Sequence, residues 1–362
     1  MQRYLRNLDW ILIIAVAALM AIGLVLIYSA THGGGYGWMV QRQALFMLAG
    51  SILMALSLTV DYKQLERIAS PLYLFMVLLL LGVMLFGHAQ MGAQRWLRLG
   101  PLAFQPSEFC KGFMIVCLAA FLHGRSYRLL DFTDYWQPVL FTLVPFLLVM
   151  RQPDLGTALV FGAIALSMFL MCGFKMRWLA LCGCISCLSL PAIWHFLKEY
   201  QRNRLRVFLN PELDPFGAGY HVIQSKIAIG SGMLLGKGWL QGTQSQLNFL
   251  PENHTDFIFA VAGEEFGFIG SLIIIALYLI IIWRGLSIAL NAEDDFGTLL
   301  AVGITGMFLF HVVVNIGMTA GIMPVTGVPL PFVSYGASSL TINLLLVGLL
   351  LNINLQREQL QF

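Results

Sequence analysis

The stretch LPENHTDFIFAVAGEEF, residues 250–266, joins the one long polar interval of this chain to a hydrophobic segment. The polar interval begins at residue 198 with KEYQRNRLRVF and continues through DPFGAGYHVIQSKIAIGSG and GKGWLQGTQSQ. This order places Asp256 where water meets membrane, with Glu264 and Glu265 two to three turns deeper. Because a carboxylate costs much free energy at such a position, we interpret Asp256 as a functional residue.

The composition identifies the broad class of protein. Hydrophobic residues make up 59% of the 362 positions and charged residues 11%. Soluble domains carry roughly 25% charged residues, so the chain is predicted to be a polytopic membrane protein. We expect a single membrane domain over residues 1–362, with a large extracytoplasmic loop at 198–254.

Apolar segments of about 20 residues are predicted to cross the membrane as helices. Ten such segments are present, near 9–29, 43–60, 71–88, 107–123, 137–150, 154–173, 177–197, 255–283, 297–320 and 334–354. We therefore predict an all-α integral membrane protein with about ten transmembrane helices and one long extracytoplasmic loop between helices 7 and 8. With the N-terminus inside, every cytoplasmic segment carries a basic residue, as the positive-inside rule requires, and both termini are cytoplasmic.

Several basic residues fall on the predicted outer side, against that rule. They are Arg95, Arg98 and Arg151 in short loops, and Arg202, Arg204, Arg206, Lys226 and Lys237 in the long loop. Around Lys226, residues 220–229 have apolar side chains at helical spacing, which predicts a short helix lying in the interface. The positive outer surface suggests an anionic ligand; a solvated face that contacts lipid head groups is the alternative.

Four predicted helices begin on this outer side. Their first residues include QPSE at 105–108, QPDLGT at 152–157, HTD at 254–256 and PLPFVSYG at 329–336. Helix N-termini offer free backbone N–H groups and a positive dipole end, which suit a phosphate. This pattern makes Asp154, His254 and Ser334 candidate substrate-binding residues, although helix capping alone explains each motif singly.

Two polar pairs inside the predicted spans can each be interpreted as structural or as functional. Glu108 and Lys111 are three residues apart, so they can form a structural ion pair or serve a functional site. His311 and Asn315 are four apart, and we interpret them as interhelical hydrogen-bonding residues rather than as catalysts.

Other functional classes are not indicated. There is no Walker A loop, no Rossmann glycine pattern and no HExxH, and basic residues do not alternate with aromatics as a nucleic-acid groove requires. The six cysteines lie in apolar segments and are interpreted as packing residues. No metal site is predicted; one alternative left open is a divalent cation such as Mg²⁺, with His221, Glu252, His254 and Asp256 as ligands.

The chain resembles the SEDS family of bacterial cell-wall proteins, which covers RodA, FtsW and SpoVE. The resemblance rests on GYHVIQSKIAIGSG, KGWLQGTQSQLNFLPENHTDFIFAVAGEE and VNIGMTAGIMPVTGVPLPFVSYGASS, together with GAQRW, FQPSEFCK and QPDLGTAL. It covers essentially the whole chain and is nearest to the RodA branch, the elongation members. One departure is Ala337, where the family usually has a second glycine after SYG.

The resemblance implies a peptidoglycan glycosyltransferase that polymerises lipid II at the outer face of the bacterial cytoplasmic (inner) membrane. Implied partners are a class B penicillin-binding transpeptidase, other elongation-complex membrane proteins and the MreB cytoskeleton. It also implies that Asp256 is the essential acidic residue. Polar residues of a central cavity are carried over as Arg95, Glu108, Lys111 and Asp154.

The reaction so implied replaces a pyrophosphate with a sugar hydroxyl and inverts the donor carbon. It needs one base, for which Asp256 is the candidate, and cations for the leaving group, for which Arg95, Lys111, Arg202 and Arg204 are candidates. A nucleophilic aspartate would give retention, contrary to the implied linkage. The alternatives are a flippase or transporter for a lipid-linked sugar, and a non-catalytic scaffold of the elongation machinery.

Overall fold

The computed structural model of the protein describes residues 8–32, 36–90, 93–99, 102–123, 134, 136–152, 154–175, 177, 202, 206–214, 217–247 and 249–357. Its helices, in chain order, are α1 Trp10–His32, α2 Trp38–Ser57, α3 Lys63–Arg67, α4 Ala69–Phe86, α5 Pro106–Leu122, α6 Trp136–Arg151, α7 Leu155–Met171, α8 Ala218–Ser231, α9 Thr243–Gln246, α10 Ile258–Leu290, α11 Asp295–Thr319 and α12 Ala337–Arg357. A short 3₁₀ turn occupies Pro211–Leu213.

The long helices confirm the predicted helical membrane fold. Within the described ranges, six helices are long and apolar enough to cross a membrane: α1, α2, α4, α10, α11 and α12. The helices α5, α6 and α7 are slightly shorter and coincide with the fourth, fifth and sixth predicted spans. Apolar segments form helices in lipid because helices satisfy every backbone polar group internally. Beyond residue 177, the predicted seventh span at 177–197 lies outside the described residues.

Two helices form the centre of the bundle. The spanning window of α11 is 72% buried and that of α12 is 78% buried, whereas only 17% of the α2 window is buried. Helix α11 packs against α7, α10 and α5, and α12 packs against α2. A helix buried on nearly all sides supplies fixed positions for polar side chains, whereas α2 presents most of its surface to the surroundings.

The predicted topology places alternate loops on the same side, and the contacts between loops agree with it. At one end, Lys63 pairs with Glu293 at 3.0 Å and Arg284 with Asp9 at 2.7 Å. All four belong to segments or helix ends predicted to be cytoplasmic. The candidate site described below uses residues from the other ends of the same helices.

Three short strands between α4 and α5 were not predicted. They are β1 His88–Gln90, β2 Ala93–Leu99 and β3 Leu102–Phe104, and they form an antiparallel sheet in the order β1-β2-β3. Leu97 is paired with Phe104, and Arg98 with Ala103. The segment at 88–104 was predicted to be a loop. Within the described residues the long apolar segments are all helical, and the sheet shows that the loop bearing Arg95 has regular backbone structure.

Helix α10 is broken inside its length, which was also not predicted. Gly267 has φ 66° and ψ −158°, a conformation that only glycine adopts readily. The long loop supplies the backbone hydrogen bonds that the break leaves open: Phe268 N to Met233 O (2.9 Å), Ile269 N to Leu234 O (3.1 Å), Lys237 N to Glu264 O (3.0 Å) and Gly238 N to Glu265 O (3.0 Å). A broken helix at membrane depth is tolerated when other parts of the protein satisfy its free groups.

Candidate active site

Asp256 lies in the turn that precedes α10 and borders a cavity of about 260 Å³. The residues lining this cavity are Val207, Phe208, His221, Val222, Glu252, Asp256, Phe257, Met323, Pro324 and Val325. Asp256 is half-buried, and α10 begins two residues later, at Ile258. The eighth span was predicted to start at residue 255, whereas α10 starts at Ile258. Asp256 therefore stands just before the helix rather than in its first turn. The cavity combines apolar walls with convergent titratable groups, which is typical of a small-molecule site.

The turn bearing Asp256 is held from within. Phe257 N donates to Glu252 O at 3.3 Å, and Thr255 Oγ1 donates to Glu252 Oε2 at 3.1 Å. Glu252 itself has φ 52°, in the left-handed region that non-glycine residues rarely adopt. Backbone strain of this kind persists where the surroundings impose it, and it occurs often at functional sites. It brings a second carboxylate to the cavity beside Asp256.

The segment before α12 clamps the same turn from outside. Ser334 Oγ donates to Thr255 O at 2.6 Å, and Tyr335 N donates to His254 O at 2.9 Å. Ser334 Oγ also accepts from Leu330 N at 2.9 Å. Ser334 is buried, so in this structure its hydroxyl orders the backbone beside Asp256. Contact of Ser334 with substrate stays a prediction.

Two histidines near the cavity have lowered pKa values. Burial lowers the pKa of His221 and of His254 from the usual 6.5, and the carboxylate of Glu252 partly offsets the effect. The His221 ring stacks on Phe257, with the ring centroids 5.9 Å apart. Because both shifts are downward, the neutral imidazole is favoured at neutral pH, and neither ring is expected to be a strong cation for a phosphate.

Glu108 and Lys111 form the ion pair that their spacing predicts. Lys111 Nζ lies 2.9 and 2.8 Å from the two oxygens of Glu108, and 3.1 Å from His311 Nε2 on α11. His311 Nδ1 lies 2.8 Å from Met307 O, so Nδ1 carries the hydrogen and Nε2 accepts from the ammonium. All three ammonium hydrogens are therefore engaged inside the protein. The pair is confirmed, and its use in substrate binding stays a prediction.

Asp154 caps the start of α7. Its Oδ1 accepts from Thr157 N at 3.1 Å, and its Oδ2 accepts from Gln105 Nε2 at 3.4 Å. Gln105 N in turn donates to Ser338 Oγ at 3.4 Å. The N-terminal ends of α5, α7 and α12 thus meet, as the grouping of helix starts on one side predicts. A substrate-binding role for Asp154 is not tested by these contacts.

The predicted basic residues do not gather at the cavity in the part of the chain that is described. Lys226 is exposed on α8, and its side-chain stem crosses Gly321. Arg202 is half-buried, and neither residue lines the cavity, nor does His254. Arg204 and the side chains of Arg95 and Arg98 lie outside the described residues. Cationic assistance from these positions stays a prediction.

The deeper acids anchor the long loop. Glu264 is fully buried and accepts from Lys237 Nζ at 2.8 Å, from Gln244 N at 3.0 Å and from Ser245 N at 3.2 Å. Glu265 accepts from the hydroxyl of Ser29. These contacts give the buried carboxylates a structural role beside the break in α10. Among the residues described, no three His, Cys, Asp or Glu side chains are grouped closely enough to hold a metal ion.

Sequence reasoning missed two neighbours of Asp256. Asn315 Nδ2 donates to Asp256 O at 2.9 Å and to Val328 O at 2.8 Å, and so ties α11 to the turn. Gly327 has φ 73°, and a Cβ built on it would lie 3.3 Å from Asp256 Oδ2. The predicted interhelical hydrogen bond is confirmed for His311, which meets Lys111 of α5, whereas Asn315 binds a turn and the non-helical segment at Val328. Nothing in the sequence indicated that the contact is to Asp256.

The fold and the site together define a polytopic helical membrane protein with a largely apolar cavity that carries two carboxylates beside the start of one long, broken helix. The sequence profile of the FtsW/RodA/SpoVE family, described as cell cycle proteins, matches residues 8–359. The chain therefore belongs to the FtsW/RodA/SpoVE family.

Named relatives and solved structures agree with this membership. The peptidoglycan glycosyltransferase MrdB of Escherichia coli K12 is 42% identical over 355 residues, covering 98% of this chain and 95% of the relative. The peptidoglycan glycosyltransferase RodA of Treponema pallidum is 34% identical, covering 97% and 98%. A chain from the structure reported as "Structural coordination of polymerization and crosslinking by a peptidoglycan synthase complex" superposes with a TM-score of 0.85 at 34% identity, covering 97% of this chain and 99% of that one. The rod shape determining protein RodA of Thermus thermophilus has a TM-score of 0.71 at 32% identity, covering 98% of each chain.

Proposed function

We propose that this chain is a peptidoglycan glycosyltransferase that polymerises lipid II into glycan strands at the outer face of the bacterial cytoplasmic membrane during cell elongation. Family membership and relatives of this name over nearly the full length support the reaction class. The observation that carries the proposal is the half-buried carboxylate of Asp256 at the cavity before α10. We infer from the distribution of basic residues that both termini are cytoplasmic.

In the proposed step, the hydroxyl oxygen of the acceptor sugar bonds to the anomeric carbon of the donor. The bond from that carbon to the lipid pyrophosphate breaks, and its electron pair leaves with the pyrophosphate. Asp256 takes the hydroxyl proton as general base, a role that contributes about 10²- to 10⁴-fold in rate. One such displacement inverts the donor carbon, which fits a single base and no covalent intermediate.

Stabilisation of the departing pyrophosphate requires positive charge. Lys111 is engaged by Glu108 and His311, so we assign this role to Arg95 and Arg204. To Arg202 and Lys226, which do not line the cavity, we assign the attraction of the anionic donor to the protein surface. A divalent cation such as Mg²⁺ held by substrate phosphates and Glu252 or Asp256 is the alternative. Activity that survives a chelator would reject the cation.

The proposed partner is a class B penicillin-binding transpeptidase, which crosslinks the new strands. It is supported by the similarity to a chain of a peptidoglycan synthase complex named for polymerization and crosslinking. Other elongation-complex membrane proteins and MreB complete the proposed assembly. The family resemblance is their sole support.

The test separates polymerisation from transport. Purified chain with its transpeptidase partner is incubated with lipid II, a β-lactam and, in a parallel arm, a chelator, and glycan strands are resolved on a gel. We expect strands in both arms. If lipid II crosses vesicle membranes while no polymer forms, the chain is a transporter, a function that the buried Glu108–Lys111 pair would suit.

A further inference from the structure

Asn315 stands at the junction between the bundle core and the turn of Asp256. It is fully buried in α11, and its Nδ2 donates both hydrogens, one to Asp256 O at 2.9 Å and one to Val328 O at 2.8 Å. Its Oδ1 has no hydrogen-bond partner among the described residues. An amide oxygen turned toward two carbonyl oxygens would be repelled, so this orientation of the side chain is the one that chemistry permits.

The second carbonyl belongs to a segment that passes beside the Asp256 carboxylate. Val328 follows Gly327, where a Cβ added to the glycine would lie 3.3 Å from Asp256 Oδ2. The same segment contributes Val325 to the cavity wall. Asn315 therefore joins the backbone of Asp256 to the segment that passes beside its carboxylate.

Helix α11, which carries Asn315, is held firmly within the bundle. Helix α11 is one of the two most buried spans, and one turn earlier on the same helix His311 binds the Glu108–Lys111 pair of α5. Residues four apart lie on one helix face. The polar face of α11 is thus fixed to α5 by His311 and to the Asp256 turn by Asn315.

We propose that Asn315 is a positioning residue for Asp256: its carboxamide fixes the distance between the Asp256 and Val328 carbonyls and thereby holds the Asp256 carboxylate in reacting position. The proposal rests on the proposed function of Asp256 as base. Misplacement of a reacting group by about 1 Å can cost roughly 10²-fold in rate. Because Asn315 does not line the cavity, its loss should lower kcat and leave KM nearly unchanged.

The principal variant is Asn315→Leu, which keeps the branched shape and the number of side-chain heavy atoms and removes both donors. The matched control is Asn343→Leu in α12, since Asn343 is equally buried and its Nδ2 donates only to Ser339 Oγ at 3.4 Å. We expect kcat to fall roughly 10- to 100-fold in Asn315→Leu with KM within about twofold, and kcat to stay within about twofold in Asn343→Leu. Thermal unfolding in detergent and co-purification with the transpeptidase partner check that both variants are folded.

A second variant keeps the test decisive if Asn315→Leu fails to fold. In Asn315→Ala a water molecule can enter the vacated space and satisfy both carbonyls without fixing them. The same kcat loss is expected. Asn315→Gln, which keeps the donors on a longer arm, should recover part of it.

A pair of glycine variants tests the other side of the same contact. Gly327→Ala adds a Cβ 3.3 Å from Asp256 Oδ2, whereas Gly173→Ala imposes a similar positive-φ strain (φ 84° against 73°) with no atom within 4 Å of the new Cβ. We expect kcat to fall in Gly327→Ala and to hold in Gly173→Ala.

The outcomes distinguish the positioning role of Asn315 from the proposed role of Asp256 as base. If Asp256→Asn is inactive while a folded Asn315→Leu or Asn315→Ala keeps kcat within about twofold of the wild type, the positioning role is wrong and the base survives. Equal kcat losses in Asn315→Leu and Asn343→Leu also reject positioning. If Asp256→Asn remains fully active, Asp256 is not the base, and the positioning role of Asn315 is rejected as well.

Discussion

At the scale of single residues, the buried ion pair explains why a charged lysine is tolerated in a membrane helix. Lys111 is 1% exposed, and Glu108 and His311 together accept all three of its hydrogens. A buried charge with full hydrogen bonding avoids most of the penalty of desolvation. The pair is therefore a structural element of the bundle, and its loss should first affect stability.

We predict that Lys111→Met destabilises the protein by about 3–5 kcal/mol, because it leaves the Glu108 carboxylate buried without its cation. The double variant Glu108→Gln with Lys111→Met should cost less than the single one, since no buried charge remains. Unfolding in an SDS titration of mixed micelles measures both. Lys63→Met is the control: its pair with Glu293 is exposed, so its loss should cost no more than about 1 kcal/mol. Equal losses of unfolding free energy in Lys111→Met and Lys63→Met would contradict the structural role of the Glu108–Lys111 pair.

From the sequence, the spacing of Glu108 and Lys111 predicted an ion pair that the structure confirms, whereas the functional role of Asp256 stays a prediction. A carboxylate at the membrane boundary singled out Asp256, and a spacing of three singled out Glu108 with Lys111. The contacts of Asn315 and Gly327 with Asp256 could not be predicted. Asn315 lies 59 positions from Asp256 in the chain and Gly327 lies farther still, so only the packed fold brings them together.

At the scale of elements, the break in α10 sets the position of the long loop. Close approach at the break requires residues without side chains. A Cβ on Gly267 would lie 2.3 Å from Gly236 N, and a Cβ on Gly236 would lie 2.1 Å from Glu265 O. The sequence predicted one continuous span over 255–283. Hydrophobicity could not show the break, because the hydrogen bonds that make it tolerable come from residues 233–238.

We predict that Gly267→Ala detaches this part of the loop from α10 and lowers stability by more than about 2 kcal/mol, since it combines a glycine-only conformation with a clash. Gly82→Ala in α4 is the matched control, because a Cβ there meets no atom within 4 Å. It should be neutral or stabilising by about 0.5–1 kcal/mol. The same SDS titration compares the two, and similar destabilisation by both would contradict the role given to the break.

At the scale of the whole molecule, the sequence predicted the helical membrane fold because lipid leaves the chain few alternatives. Nine of the ten predicted spans coincide with described helices. The antiparallel sheet at β1–β3 was missed, since strands of three to seven residues are too short to carry a strong periodic signal. The orientation of the molecule is predicted from its basic residues alone and is open to a direct test.

We predict that Glu212 faces outward and Glu293 inward. Both side chains are exposed, and the described cysteines Cys110, Cys117 and Cys172 are buried, so labelling above that of the unmodified protein reports the introduced cysteine. A membrane-impermeant maleimide added to intact spheroplasts should label Glu212→Cys and should label Glu293→Cys only after permeabilisation. The unmodified protein gives the background. The reverse pattern would invert the molecule and place Asp256 on the cytoplasmic side.

The central claim is that the Asp256 carboxylate removes the proton from the attacking sugar hydroxyl. The most direct measurement is the initial rate of glycosidic bond formation from lipid II by Asp256→Asn, with the transpeptidase partner bound and crosslinking blocked. Glu212→Gln, an exposed acid of the same loop, serves as control. The account predicts a fall of at least about 100-fold for Asp256→Asn and an unchanged rate for Glu212→Gln. A folded, partner-bound Asp256→Asn that forms glycan within a few-fold of the wild-type rate would contradict it.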